Sequence, residues 1–188
     1  LQQARGKSTA AKLLRFLLAI ALGVALWLLP LARVLLAPVW PALPGALWVH
    51  AVSLGETRAA IPLIDALREQ QPGLRLLLTH GTATGRAAGQ ALLRQGDVQA
   101  WLPYDTPGAA RRFLQHFRPV AGVLIETELW PNLMHEAERQ RVPVVLANAR
   151  LSARSARKGR RMAALLHPAA RRLTLALAQT GADAQRLR

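Results

Sequence analysis

Six short apolar runs, separated by polar stretches of helix length, constrain this chain more than any other feature. They are LWVHAVS (47–53), LRLLLTH (74–80), VQAWLP (98–103), VAGVLIE (120–126), VPVVLAN (142–148) and LTLALAQ (173–179). Between them lie Thr57–Gln70, Gly85–Gln95, Thr106–Phe117, Trp130–Gln140 and Ser155–Leu166, each long enough for a helix. The runs lack the apolar–polar alternation of a strand with one wet face, which suits strands buried on both faces. Strand and helix signals taken in turn read as βαβ units. The expected class is α/β, a Rossmann-like parallel sheet flanked by helices, over residues 46–188.

In open parallel sheets, ligands bind beyond the carboxyl ends of the strands. The informative residues are therefore those that follow each run. Ser53, Gly55 and Glu56 follow the first, in SLGE. Glu56 is a candidate general base in a cleft. Equally, Ser53 and Glu56 have the spacing of a helix capping box. Thr79, His80, Gly81, Thr82 and Thr84 follow the second run, in THGTATG, which reads as a phosphate or sugar cradle or as a plain loop. It fits neither the P-loop nor the dinucleotide fingerprint. Glu126 and Glu128 follow the fourth, in ETELWPN. Glu128 reads as a site residue or as a solvated or capping acid. Glu126 abuts the apolar run directly, so its carboxylate must find donors or a cation. Pro131 is placed to start a helix, with Trp130 packing beneath it. Asn148, Arg150 and Arg154 follow the fifth run, as an anion-binding patch or a solvated basic loop.

A different pattern precedes residue 46. Residues 16–32, FLLAIALGVALWLLPLA, carry no charge and lie between Arg15 and Arg33, with Lys7 and Lys12 before them. The run is at the lower edge of bilayer-spanning length, and Pro30 interrupts it. It reads as a membrane anchor, spanning or interfacial, as a signal peptide without an obvious cleavage site, or as a buried helix. Residues 1–40 are expected to form a unit of their own, a basic start and an apolar anchor helix. The chain begins at Leu1 and ends at Arg188 within a helix-like stretch, as a fragment would.

Charge and composition narrow the chemistry. Lys and Arg number 25 against 10 Asp and Glu, a net charge of +15, which favours anionic partners. With no cysteine there is no disulfide, thiolate metal site or Cys nucleophile. His50, His80, His116, His135 and His167 lack metal-ligand spacing, so no metal is expected. The basic stretches show no helix-turn-helix, zinc-finger or RNP-like pattern, so nucleic acid is not an expected partner.

Taken together, HAVSLGETRAAIPLIDALR, WLPYDTPGAARRFL, ETELWPNL and ANARLSARS resemble, in the same order, the N-terminal half of the 3-deoxy-D-manno-octulosonic acid (Kdo) transferases of lipopolysaccharide synthesis. The resemblance runs from about Trp48 to Arg188. It implies a two-domain GT-B glycosyltransferase whose N-terminal half binds the acceptor, lipid A or its precursor. The donor, CMP-Kdo, would bind a C-terminal half absent from this chain, so the chain alone is not expected to turn over. The resemblance also implies inversion at the anomeric centre, no bound metal or cofactor, Glu56 as proton acceptor and Glu126 as transition-state stabiliser. Ser53, Gly55, Thr82, Thr84, Glu128, Asn148, Arg150 and Arg154 are the acceptor-binding candidates. Membership implies the cytoplasmic face of the bacterial inner membrane and an anionic membrane surface as partner. Basic residues before the apolar run predict a cytoplasmic N-terminus. A full span would then carry the rest outside, so an interfacial or shallow anchor is expected. The stretch before LWVHAVS is short and Pro-rich, without the family's basic linker. Other readings are a different GT-B transferase, a basic nucleic-acid-binding domain, or a membrane-bound scaffold without chemistry.

Overall fold

The computed structural model describes residues 41–153, 155 and 163–187. The apolar segment 16–32 and Arg154 lie outside the described residues. Among the described residues, no helix is long and apolar enough to cross a membrane.

The strands are β1 (Leu47–His50), β2 (Leu76–His80), β3 (Val98–Trp101), β4 (Ala121–Ile125), β5 (Val144–Ala149) and β6 (Leu175–Ala178). The helices are α1 (Leu54–Gln70), α2 (Ala83–Gln90), α3 (Pro107–Phe117), α4 (Pro131–Arg139), α5 (Ala163–Ala170) and α6 (Gly181–Leu187). All strand pairs are parallel, and the order across the sheet is β3-β2-β1-β4-β5-β6. Each apolar run thus becomes a strand, as the alternation predicts. The order reverses between β1 and β4, and that switch point is where such sheets open a crevice.

Alternate strand residues feed two cores, one on each face. Trp48, Leu77, Leu124 and Leu146 pack with Phe113, Phe117, Leu133 and Met134 on the α3–α4 side. Val49, Leu76, Leu78, Val123 and Ile125 pack with Ala60 and Ile64 of α1 on the other. Trp48 is fully buried and lies against β4, where a Cβ on Gly122 would come within 2.6 Å of its ring. Its indole N–H donates to the Thr79 hydroxyl at 2.8 Å, so the largest core side chain is also satisfied.

Burial on both faces fails in the last strand. β6 is the sheet edge, and Leu175 and Leu177 are each 50% exposed. β3, the other edge, alternates buried and half-buried residues. An edge strand has neighbours on one side only, and its run length does not reveal that position. Helix starts shift for a local reason. α1 begins at Leu54 rather than Thr57 because the Ser53 side chain accepts from the Glu56 amide. Thr82 and Thr106 do the same for Gly85 and Ala109 at the heads of α2 and α3.

Candidate active site

The β1–α1 turn builds the first wall of the site. The Ser53 hydroxyl donates to Glu56 Oε1 at 2.9 Å, and the Val52 amide donates to Oε2 at 2.7 Å. In return the Glu56 amide donates to Ser53 Oγ at 3.3 Å. This is a variant of the capping box, in which the carboxylate reaches the amide of Val52, one residue before the N-cap, so the helix-capping reading of Glu56 is realised. It does not exhaust the carboxylate, whose two oxygens offer about four lone-pair sites. Glu56 is half-buried, fixed in orientation and still able to accept a further proton donor. Gly55 is exposed, has no left-handed backbone, and an added Cβ would meet nothing nearer than Ser53 Oγ at 3.8 Å. Nothing among the described residues requires a glycine there.

The second wall follows β4, which pairs directly with β1. Glu126 sits at φ 67°, in the left-handed region, and its amide donates to the Ala147 carbonyl at 2.9 Å. For a glutamate that backbone is strained by about 1 kcal/mol or more. Glu128 is half-buried, and its carboxyl is pushed above the usual range by burial, then by the negative charges of Glu56 and Glu126. The field on Glu128 therefore brings together the acids from the two turns. Among the described residues, no three His, Asp or Glu side chains are grouped to hold a metal ion.

Next along the mouth, Asn148 is also left-handed, at φ 54°, where the pairing of β5 with β6 slips between Leu146 and Ala149. A bulge at a strand end re-aims the chain beside it. Arg150 follows on the exposed side. The loop it begins is held from α6: the Leu151 amide donates to Asp183 Oδ1 at 2.9 Å. The Thr180 hydroxyl, then that amide, hold the Asp183 carboxyl below its usual range.

THGTATG packs against the β1–α1 turn. The Thr82 hydroxyl donates to the Val52 carbonyl at 2.9 Å and accepts from the Gly85 amide at 3.1 Å. A Cβ on Gly85 would lie 2.7 Å from that same carbonyl oxygen, so α2 can approach the β1–α1 turn only as glycine. Thr84 is exposed, its hydroxyl 3.3 Å from that of Thr82. The stretch thus braces the turn that carries Ser53 and Glu56.

Three features escaped the sequence reading. Asp105 accepts from the Asn132 and Leu133 amides at 3.1 and 2.8 Å, and its carbonyl accepts from Asn132 Nδ2 at 2.7 Å. It caps α4 from the loop after β3, because Trp130 at the N-cap position supplies no side-chain bond. The other two are His50, at the carboxyl end of β1, and Trp130. His50 is fully buried, and its Nδ1 lies 3.2 Å from the Thr79 carbonyl oxygen and 3.0 Å from its hydroxyl. Among the described residues its Nε2 has no partner, and neither does the buried Nε1 of Trp130. By contrast, neighbouring His80 is satisfied at both nitrogens, with the Ala51 carbonyl at 2.9 Å and Gln99 Nε2 at 3.1 Å. Only a count of hydrogen bonds separates these two histidines.

The fold has counterparts among solved structures. The S. aureus MnaA–UDP co-structure superposes with a TM-score of 0.53 at 15% identity, over 76% of this chain and 41% of that one. A putative UDP-N-acetylglucosamine 2-epimerase from Listeria monocytogenes gives 0.54 at 10% identity, over 77% and 41%. These likenesses concern the fold alone. Sequence relatives are nearer. A 3-deoxy-D-manno-octulosonic acid transferase of Bordetella pertussis is 52% identical over 150 residues, covering 77% of this chain and 35% of that protein. The Haemophilus influenzae transferase is 36% identical over 143 residues, covering 76% and 34%. A probable mitochondrial one of Arabidopsis thaliana is 43% identical over 113 residues, covering 60% and 25%. The chain thus spans about a third of the length of the first two relatives. The family model described as "3-Deoxy-D-manno-octulosonic-acid transferase (kdotransferase)" matches residues 30–188, a range that contains both acidic turns at the switch point. The chain belongs to the 3-deoxy-D-manno-octulosonic-acid transferase family.

Proposed function

We propose that this chain is the acceptor-binding half of a glycosyltransferase that moves Kdo from CMP-Kdo to lipid A or its precursor in lipopolysaccharide synthesis. The observation that carries the reading is Glu56, clamped by Ser53 and Val52 beside the turn of Glu126 and Glu128, at the switch point of the sheet. A sugar hydroxyl attacking an anomeric carbon must lose its proton, and an oriented carboxylate is a suitable base. The hydroxyl oxygen forms the new bond to Kdo on the face opposite CMP, which leaves with the electron pair of the broken bond, so the centre inverts. Glu56 takes the proton, and no metal or cofactor enters this scheme. Glu126 acts as the transition-state stabiliser. Glu128, with its raised pKa, is suited to donate a hydrogen bond within the same site. Arg150 and Arg154 offer fork geometry to acceptor phosphates. Ser53, Gly55, Thr82, Thr84 and Asn148 shape the acceptor side. The CMP-Kdo site would lie in a C-terminal half.

The net charge of +15 suits both a phosphorylated acceptor and an anionic membrane surface. Residues 1–40 supply the proposed apolar anchor, placing the enzyme on the cytoplasmic face of the bacterial inner membrane. The test is Kdo transfer by the full-length protein from CMP-Kdo to a lipid A precursor, with Glu56→Gln alongside. The capping-box position accepts Glu or Gln, so the variant should fold normally. Loss of the base should lower kcat by about 10²–10⁴-fold. Undiminished transfer by the variant would remove Glu56 from the role of base.

A further inference from the structure

Two buried polar atoms, one at the carboxyl end of β1 and one just before α4, have no partner among the described residues. His50 Nε2 and Trp130 Nε1 are both out of solvent, on rings standing edge to face with centroids 6.5 Å apart. The other such atom among the described residues, Arg68 Nε, belongs to a guanidinium whose remaining nitrogens bind the Leu92 carbonyl and Asp97. A buried donor or acceptor left without a partner destabilises the fold that holds it. Two of them side by side at the carboxyl end of β1 favour any state in which one atom satisfies both.

Chemistry narrows the kind of atom. The indole N–H of Trp130 can only donate. His50 Nδ1 faces the Thr79 carbonyl oxygen at 3.2 Å and the Thr79 hydroxyl at 3.0 Å, so it donates to the first or accepts from the second, and Nε2 is correspondingly a bare lone pair or an N–H. Burial keeps the ring neutral, with its pKa lowered to about 4. The missing partner must accept from Trp130 and either donate to His50 or accept from it. A hydroxyl serves both tautomers. A phosphate or carboxylate oxygen serves only the one with a proton on Nε2, and an ammonium brings no lone pair.

We infer that His50 and Trp130 form a hydroxyl-binding subsite, taking one hydroxyl of the carbohydrate acceptor between the strand that leads to the Glu56 turn and the segment that carries Glu126 and Glu128. The inference rests on the functional reading above and deepens it. Admitting the hydroxyl turns Trp130 aside. Residues 126–130, which lead to that ring, have no regular structure and begin at the left-handed Glu126. A hydroxyl held there is fixed in register with the acids, so His50 and Trp130 act as positioning residues.

The test uses the full-length protein and a detergent-solubilised lipid A precursor. The Trp130 indole N–H resonance is identified by its loss in Trp130→Phe. It should move downfield as the precursor saturates the wild-type protein and stay in place in His50→Phe. Trp130→Phe should leave the melting temperature unchanged or higher, since it removes an unsatisfied group. It should also raise the acceptor KM about tenfold with kcat within threefold. His50→Gln, which keeps an acceptor, should fall between wild type and His50→Phe. Saturable binding with an unmoved indole resonance and unchanged KM would overturn the subsite. So would a resonance already hydrogen-bonded in the free protein and indifferent to precursor, the mark of a resident water. Binding without any Kdo transfer would instead sink the functional reading, and the indole shift would still decide the subsite. Absence of precursor binding would overturn both.

Discussion

At the scale of single residues, two glycines near the site carry opposite meanings. Gly55 lies in the first turn of α1 with open space where its Cβ would be. Gly85 lies in the first turn of α2 with the Val52 carbonyl oxygen 2.7 Å from that point. Helix propensity alone favours alanine at both by up to about 1 kcal/mol. Gly55→Ala should therefore leave the fold as stable or up to about 1 kcal/mol more stable, by urea unfolding. If the surface above it receives the acceptor, the same change should lower kcat/KM for transfer by the full-length protein. Stability and activity moving together would argue that Gly55 faces nothing but solvent. Glu56 shows why such residues resist a single reading. Its spacing from Ser53 spells a capping box, its place at a strand end spells a base, and the geometry realises the first while leaving the second available.

At the scale of elements, Gly85→Ala should do the reverse of Gly55→Ala. The new methyl meets backbone, which cannot rotate away, so α2 must shift from the β1–α1 turn. Overpacking of this kind costs about 1–3 kcal/mol, which the shift of the urea midpoint measures. An unchanged or higher midpoint would mean that α2 moves freely and does not brace Glu56. This packing is also where the sequence stops being readable. The six runs, the βαβ alternation and the placing of candidates after strands were all visible, because they depend on residue order. The interlock of Asp105 with Asn132 joins a loop to the first turn of α4, 27 residues on, and depends on which strands become neighbours. Glu126 and Asn148 take left-handed backbones that nothing local requires, though asparagine tolerates one better. The exposure of β6 follows from its place at the sheet edge, which a run of alternating Leu and Ala does not record.

At the scale of the whole domain, burial of histidine gives acid unfolding an unusual order. His50 falls from 6.5 to about 4 on folding, mainly through burial. Below pH 6.5 the unfolded chain takes up a proton that the folded one refuses until about pH 4. The unfolded state then binds more protons, so stability drops as pH falls through that window and levels off beneath it. A shift of this size amounts to on the order of 3 kcal/mol. His80 moves the same way, through burial first and the Arg86 charge as a lesser cause. Glu128 opposes them: its raised pKa lets the folded state bind a proton first, which adds stability as pH falls towards 4.5. Glu136, held down to about 2 by hydrogen bonds from Arg139, keeps its contribution above 4.5 and loses it as pH falls through 2. Most proteins begin to lose stability in acid when such carboxylates protonate. Here two buried histidines begin the loss earlier. Melting temperature followed from about pH 8 to about pH 3 should therefore decline first between 6.5 and 4, before the carboxylate range. His50→Gln should make that segment shallower, with the share of His80 remaining, and leave the lower one in place. A wild-type curve that stays level down to 4.5 would mean that the folded protein takes up the His50 proton as readily as the unfolded chain, and that burial does not hold the ring neutral.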